Sequence, residues 1–189
     1  MAKDSIDTLL ENITKVLNDV DSEQINSMIE RIIITKVKGG NVFVVGAGRS
    51  GLVAKSFAMR LYAVGFSVVV VGETIVPKAR EKDCIVAISG SGTTQFTVNA
   101  AEAAKSQGAK VIAITSRPKS PLGELADELV ELKGRIEDAD AALDYAPRQL
   151  SGLHTPLHPL GSLFELSAMI LLEAIISEIL TKVGISPAK

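Results

Sequence analysis

The sequence is poor in several residue types that would each point to a particular class of protein. Among its 189 residues there is one cysteine, no tryptophan, only two histidines, and an aromatic share of 4%. A single cysteine cannot staple a small fold, and Cys84 sits inside the apolar run 84–88, where it reads as a core thiol rather than a disulfide partner or nucleophile. So few aromatics leave no platform for stacking bases. Neither charge sign dominates: 20 basic residues face 22 acidic ones, for a net charge of −2, and the basic residues are scattered. Nucleic acid and anionic membrane are therefore disfavoured as main partners. Long hydrophobic runs are missing too. The longest, residues 168–176, is broken by Glu173 and falls short of a membrane span. The N-terminus turns amphipathic without the apolar core of a signal peptide. Together these absences lead to the expectation of a soluble, cytoplasmic protein. No repeat, low-complexity tract or linker divides the chain, which is long enough for one real core; it reads as a single domain over 1–189.

What is present is a pattern of alternating elements. Residues 5–20 and a second stretch capped by Asp21 or Ser22 carry helical apolar stripes, ending at Lys38-Gly39-Gly40. This N-terminal pair (1–38) is expected either to cover a sheet edge or to build a subunit contact. Short apolar runs at 41–45, 67–71, 84–88 and 110–115, with a weaker one at 128–132, alternate with helical segments. The runs are continuously apolar, as parallel strands buried on both faces are, and the alternation implies right-handed crossovers. Residues 133–161 lack clear periodicity; they hold His154, His158, Arg135, Tyr145, Arg148 and three prolines, and a connection this long is usually functional or mobile. Residues 162–183 form a final helix that is apolar on almost every side. Its cover is expected from oligomer formation.

Two loops carry the chemistry. Ser89-Gly90-Ser91-Gly92-Thr93-Thr94 follows the third strand and opens a helix. Glycines there let backbone N–H groups approach a ligand, hydroxyls donate around it, and a helix start adds partial positive charge, a combination that suits phosphate. Gly46-Ala47-Gly48-Arg49-Ser50-Gly51 ends the first strand in the same way. In an open parallel sheet, ligands sit outside the carboxyl ends of the strands, where both loops fall. The first loop also matches the dinucleotide fingerprint, with Glu73 as a candidate ribose acid. Against that reading stand the hydroxyl density of the second loop and the want of room for a separate substrate domain. Arg49 and Ser50 are positioned to meet a sugar hydroxyl or phosphate. Arg60, beside an apolar stripe, could snorkel, meet a carboxylate of a partner subunit, or touch ligand. Ser162-Leu163-Phe164-Glu165 reads either as a capping box or as a general base on the first turn of a helix. His154 and His158 have metal-ligand spacing, but Pro156 and Pro159 disrupt the helix that spacing needs. His154 is better suited to acid, base or hydrogen-bonding work, or to anchoring the long loop.

These stretches, with Ser-Phe-Ala-Met-Arg-Leu (56–61), Val-Gly-Glu-Thr (71–74) and Pro-Leu-Gly-Ser-Leu-Phe-Glu (159–165), together resemble the sugar isomerase (SIS) domain family, and within it the 6-phospho-3-hexuloisomerases. The resemblance covers residues 40–183. It implies an α/β, three-layer flavodoxin-like fold: a five-stranded parallel sheet with helices on both faces. It implies an isomerase interconverting a 3-ketose and a 2-ketose hexulose 6-phosphate, with neither cofactor nor metal. By resemblance Ser89, Gly90, Ser91, Gly92, Thr93 and Thr94 hold the phosphate, Gly48, Arg49 and Ser50 line the same pocket, and Glu165 is the proton acceptor; His154 matches no shared motif. The resemblance also implies a homotetramer and functional coupling to a 3-hexulose-6-phosphate synthase, within formaldehyde fixation by the ribulose monophosphate route. An aldose–ketose phosphate isomerase of the same fold and a non-catalytic phosphosugar sensor remain as alternatives.

Overall fold

A computed structural model describes residues 2–134, 145–152 and 159–184. The chain begins with α1 (Ala2–Asn18) and α2 (Ser22–Val37). Asp21 is the cap of α2, its carboxylate accepting from Glu23 N–H at 2.8 Å. There follow β1 (Val42–Gly46), α3 (Gly48–Ala63), β2 (Val68–Val70), β3 (Cys84–Ile88), α4 (Gln95–Ser106), β4 (Lys110–Thr115), α5 (Pro121–Leu125) and β5 (Glu128–Glu131). A short helix α6 (Tyr145–Leu150), a 3-10 turn (Pro159–Ser162) and α7 (Leu163–Lys182) complete the order. α6 lies in the stretch where the sequence shows no periodicity, and its Leu150 is almost fully exposed.

The five strands are parallel, in the order β2-β1-β3-β4-β5. This is the flavodoxin-like order, and the winding direction reverses between β1 and β3. β1, β3 and β4 are buried almost throughout, as their continuous apolar runs require, while the edge strands β2 and β5 are half-buried.

Alternate strand residues divide between two cores. Val42, Val44, Val86, Ile88, Ile112 and Ile114 face the larger, packed under α1, α2, α3 and α7. Phe43, Val45, Ile85, Ala87, Val111 and Ala113 face the smaller, under α4 and α5, where Ala101 and Ala104 allow close approach. The N-terminal pair thus adds a layer over a sheet face, and α2 also reaches the β5 edge, where Gln24 Oε1 accepts from Glu131 N–H at 2.8 Å. α2 meets β5 and α7 from that face, and Arg31 ties it to Glu128 with Nε and Nη2 bonds of 2.7 and 2.6 Å. α7 receives much of its cover inside the same chain, from α1, α2 and α3. Leu163, Phe164, Ala168, Leu172, Ile175, Ile176 and Ile179 are buried there, and Leu166 and Ile170 remain part-exposed. Arg60 Nε donates to Glu173 Oε2 at 3.0 Å, closing α3 onto α7 within one chain.

The amino ends of the central strands are stapled by one buried carboxylate. Asp83 is 1% exposed; its Oδ1 accepts from Asn41 N–H and its Oδ2 from Arg80 N–H, both at 2.7 Å. Its own carbonyl accepts from Lys110 N–H at 3.1 Å. Among the described residues no helix is long and apolar enough to cross a membrane.

Two outcomes test this packing. Asp83→Ala strands two buried amide donors and is expected to cost roughly 2–4 kcal/mol, a fall of about 5–15 °C in melting temperature by calorimetry; an unchanged midpoint would contradict the staple. Burial pushes the Cys84 thiol up to about 12. Its contribution to stability is therefore intact below the ordinary thiol range and is lost as pH climbs toward that value. Iodoacetamide at pH 8 is expected to leave the native protein unlabelled and to label it fully in denaturant, read by mass spectrometry.

Candidate active site

The register pairs Gly46 with Ile88, so β1 and β3 end side by side and their two loops leave the sheet from neighbouring positions. From there the chain turns into α3 on one face and α4 on the other. The crevice between these diverging connections is where a parallel sheet offers a ligand site.

The first loop is shaped by close packing. A Cβ on Gly46 would lie 2.7 Å from Ser50 O, and one on Gly51 would lie 2.8 Å from Gly46 O. The start of α3 therefore rests directly on the end of β1. Gly48 begins that helix, Ser50 is buried in its first turn, and Arg49 projects outward, part-exposed. Glu73 forms an exposed ion pair with Lys55 at 2.7 Å.

The second loop gathers hydroxyls around Thr94. Ser89 Oγ donates to Thr94 Oγ1 at 3.2 Å, and Ser91 Oγ lies 3.5 Å from the same atom. Thr93 Oγ1 donates to Ser91 Oγ at 3.1 Å, and the Gly92 and Thr93 N–H groups reach Ser89 Oγ and Ser91 Oγ. Thr94 caps α4 by backbone conformation alone, its side chain making no cap bond, so the hydroxyl stays with the cluster. Ser89, Gly90 and Gly92 are buried and Thr93 is exposed.

Arg49 joins the first loop to the helix that carries the candidate base. Its Nη1 donates to Ser162 Oγ at 2.5 Å and its Nη2 to Gly161 O at 2.6 Å. Nη2 also lies 3.6 Å from Glu165 Oε2. Glu165 is 11% exposed, and its Oε2 is buried without a hydrogen-bond partner among the described residues. The capping box read from the spacing does not form: Ser162 makes no cap bond, because its hydroxyl is engaged by Arg49 instead. Glu165 is thus left as a nearly buried carboxylate beside a guanidinium.

Gly134 packs against the start of α7, where a Cβ on it would lie 3.1 Å from Leu163 Cγ. His154 and His158 fall outside the described residues, as do the side chains of Arg135, Tyr145 and Arg148. Two features escaped sequence reading. One is the anchoring of Arg49 on Gly161 and Ser162, a contact between positions 113 apart. The other is the backing of the serine loop by residues 115–122. A hydroxyl-bearing strand end, Thr115-Ser116, was the available signal for the second. An open acidic hollow along β5, lined by Asp21, Gln24, Asp127 and Glu128 among others, lies away from both loops. Of its carboxylates, Glu128 is already engaged by Arg31 and Asp127 by Lys105 and Lys110.

Residues 33–158 match the SIS domain. The chain belongs to the SIS domain family. An uncharacterized protein of Aeropyrum pernix is 49% identical over 92% of this chain and 81% of its own. The 3-hexulose-6-phosphate isomerase of Mycobacterium gastri is 41% identical, over 82% of this chain and 71% of its own. A Methanococcus jannaschii crystal structure, from which a molecular function of 3-hexulose-6-phosphate isomerase was inferred, superposes with a TM-score of 0.74 at 30% identity. It covers 97% of this chain and 93% of that one. The flavodoxin-like architecture expected from the sequence is therefore the SIS domain's own.

The close seating of α3 on β1 has a direct test. Gly46→Ala forces backbone against backbone and is expected to lower stability by roughly 2–4 kcal/mol, read as a fall of about 5–15 °C in melting temperature. A wild-type midpoint would show that this contact is not tight.

Proposed function

We propose that this SIS domain is a 6-phospho-3-hexuloisomerase, interconverting D-arabino-hex-3-ulose 6-phosphate and D-fructose 6-phosphate. One observation carries the reading: Glu165 is a nearly buried carboxylate whose Oε2 has no hydrogen-bond partner among the described residues and lies 3.6 Å from Nη2 of Arg49, in the first glycine loop. The names of relatives such as the Mycobacterium gastri enzyme support the choice of substrate.

The two sugars differ by one proton moved between carbons 2 and 3 and one moved between the attached oxygens. A 2,3-enediol links them. In this reading Glu165 takes the proton from carbon 3 of the 2-ketose and returns it to carbon 2. The near-burial of the carboxylate keeps water from competing for it, and the adjacent guanidinium of Arg49 stabilises the oxygen that gains negative charge. Ser89, Ser91 and Thr94, with amides of the loop 89–94, hold the phosphate at the start of α4, while Gly48 and Ser50 line the opposite wall. His154 is kept as a candidate for proton transfer between oxygens or for opening the fructose ring. The 3-ketose needs no ring opening, because its 6-oxygen is esterified and cannot close a five-membered ring. The rearrangement is redox-neutral within one molecule, so no electron carrier is called for. The same proposal makes the protein a cytoplasmic homotetramer of one SIS domain per chain. It would work in series with a 3-hexulose-6-phosphate synthase in formaldehyde fixation.

The test is proton exchange by NMR. Fructose 6-phosphate incubated with the protein in deuterated water is expected to lose the hydrogen on carbon 3, and Glu165→Gln to slow that loss by about 10²–10⁴-fold. Exchange at carbon 1 would make the protein an aldose–ketose isomerase instead. Binding without exchange at any carbon would make it a sensor.

A further inference from the structure

The serine loop can bind an anion only if its N–H groups face the pocket and its carbonyl oxygens do not. A carbonyl turned inward would present partial negative charge to the phosphate. Glycine-rich loops do not hold such an orientation by themselves, since glycine populates many backbone conformations. Something outside the loop must hold it.

The segment after β4 does so. Gly90 O accepts from Ser116 N–H at 3.1 Å and from Thr115 Oγ1 at 3.4 Å. Gly92 O accepts from Leu122 N–H at 3.0 Å, an amide of the first turn of α5 that has no partner within its own helix. Both carbonyls are thereby drawn away from the crevice, toward β4 and α5. In a trans peptide the C=O and the following N–H point in opposite directions. Drawing Gly90 O backward therefore aims Ser91 N–H forward, and among the described residues that N–H has no acceptor. The fit behind the loop is tight. A Cβ on Gly92, whose φ is +65°, would lie within 3.0 Å of Thr115 Oγ1 and collide with Ser120 Oγ. Thr115 is fully buried, and its hydroxyl is fixed in turn because it accepts from Arg117 N–H at 3.2 Å.

We infer that Thr115 is a positioning residue for phosphate binding: its buried hydroxyl, with Ser116 N–H, orients the Gly90–Ser91 peptide so that Ser91 N–H is presented to the substrate phosphate. Thr115 touches no substrate atom and acts through the loop. This rests on the phosphate-loop reading of residues 89–94. The consequence is specific. Loss of the hydroxyl weakens the grip on the phosphate, which is the same in ground and transition states, and leaves the proton transfer at Glu165 alone.

The experiment measures kcat and KM for fructose 6-phosphate, with inorganic phosphate as competitive inhibitor. It uses wild type, Thr115→Val, Thr115→Ser and Ser91→Ala, each checked for folding by circular dichroism. Thr115→Val keeps the shape and removes the hydroxyl. It is expected to raise both KM and the phosphate inhibition constant about 3- to 10-fold, with kcat changed less than about 2-fold. Thr115→Ser, which keeps the hydroxyl, is expected to stay near wild type. If the valine variant does not fold, Thr115→Cys, with its weaker donor, is read on the same constants. Wild-type KM and inhibition constant in the folded hydroxyl-less variant would overturn the inference while leaving the phosphate loop in place. Wild-type values in Ser91→Ala as well would overturn the phosphate-loop reading, and the inference with it.

Discussion

The parallel pairing of β1 with β3 is the constraint on which the rest of this molecule depends. Their register runs from Val42 opposite Cys84 to Gly46 opposite Ile88, so both strands stop at the same height. Because the winding reverses between them, the helix after β1 goes to one face and the helix after β3 to the other. Neither connection can cover the gap, and a crevice follows from topology alone. The buried Asp83 serves the same pairing from the opposite end, holding Asn41 and Arg80 where β1 and β3 begin. With the amino ends tied and the carboxyl ends level, two short glycine loops leave the sheet side by side.

The two faces of the sheet are unequal, and the inequality is used. α4 and α5 make a thin alanine-rich layer whose main task is to seat the serine loop, through Gly92, Thr115 and Ser120. The other face carries α3 and α7 with α1 and α2 around them. That thicker layer lets α7 be apolar over most of its surface and still be largely buried within one chain. It also gives the first turn of α7 a stable mount. Arg49 and Arg60, both from α3, reach Gly161, Ser162 and Glu173 on or beside that helix. Glu165 is therefore held by a body that does not include the serine loop. The two halves of the candidate site belong to opposite layers and meet only at the switch point.

Much of this was legible in the chain. Continuously apolar runs named the strands, glycines and hydroxyls named the loops, and their positions at strand ends named the side of the sheet. Local patterns failed where a distant group intervened. Ser162 and Glu165 have the spacing of a capping box, yet the hydroxyl of Ser162 accepts from Arg49 and the box does not close. Arg60 beside an apolar stripe could not announce Glu173 as its partner, nor Lys55 its pairing with Glu73. The N-terminal helices were visible as amphipathic elements, but a stripe says only that a face is buried, not against what. α6 was missed because its exposed side chains leave no periodicity.

By itself, then, the sequence determined the kinds of element, the parallel class of the sheet and the chemistry of the two loops, because each depends on residues close together in the chain. Tertiary structure alone decided which face each helix covers, which carboxylate loses its local partner, and which way the peptides of the serine loop point. Those outcomes rest on contacts across long separations, Arg49 to Ser162 and Thr115 to Gly90 among them. Hydrogen bonds of that kind depend on atoms converging within about 3 Å, a condition that packing sets and that no local pattern of residues encodes.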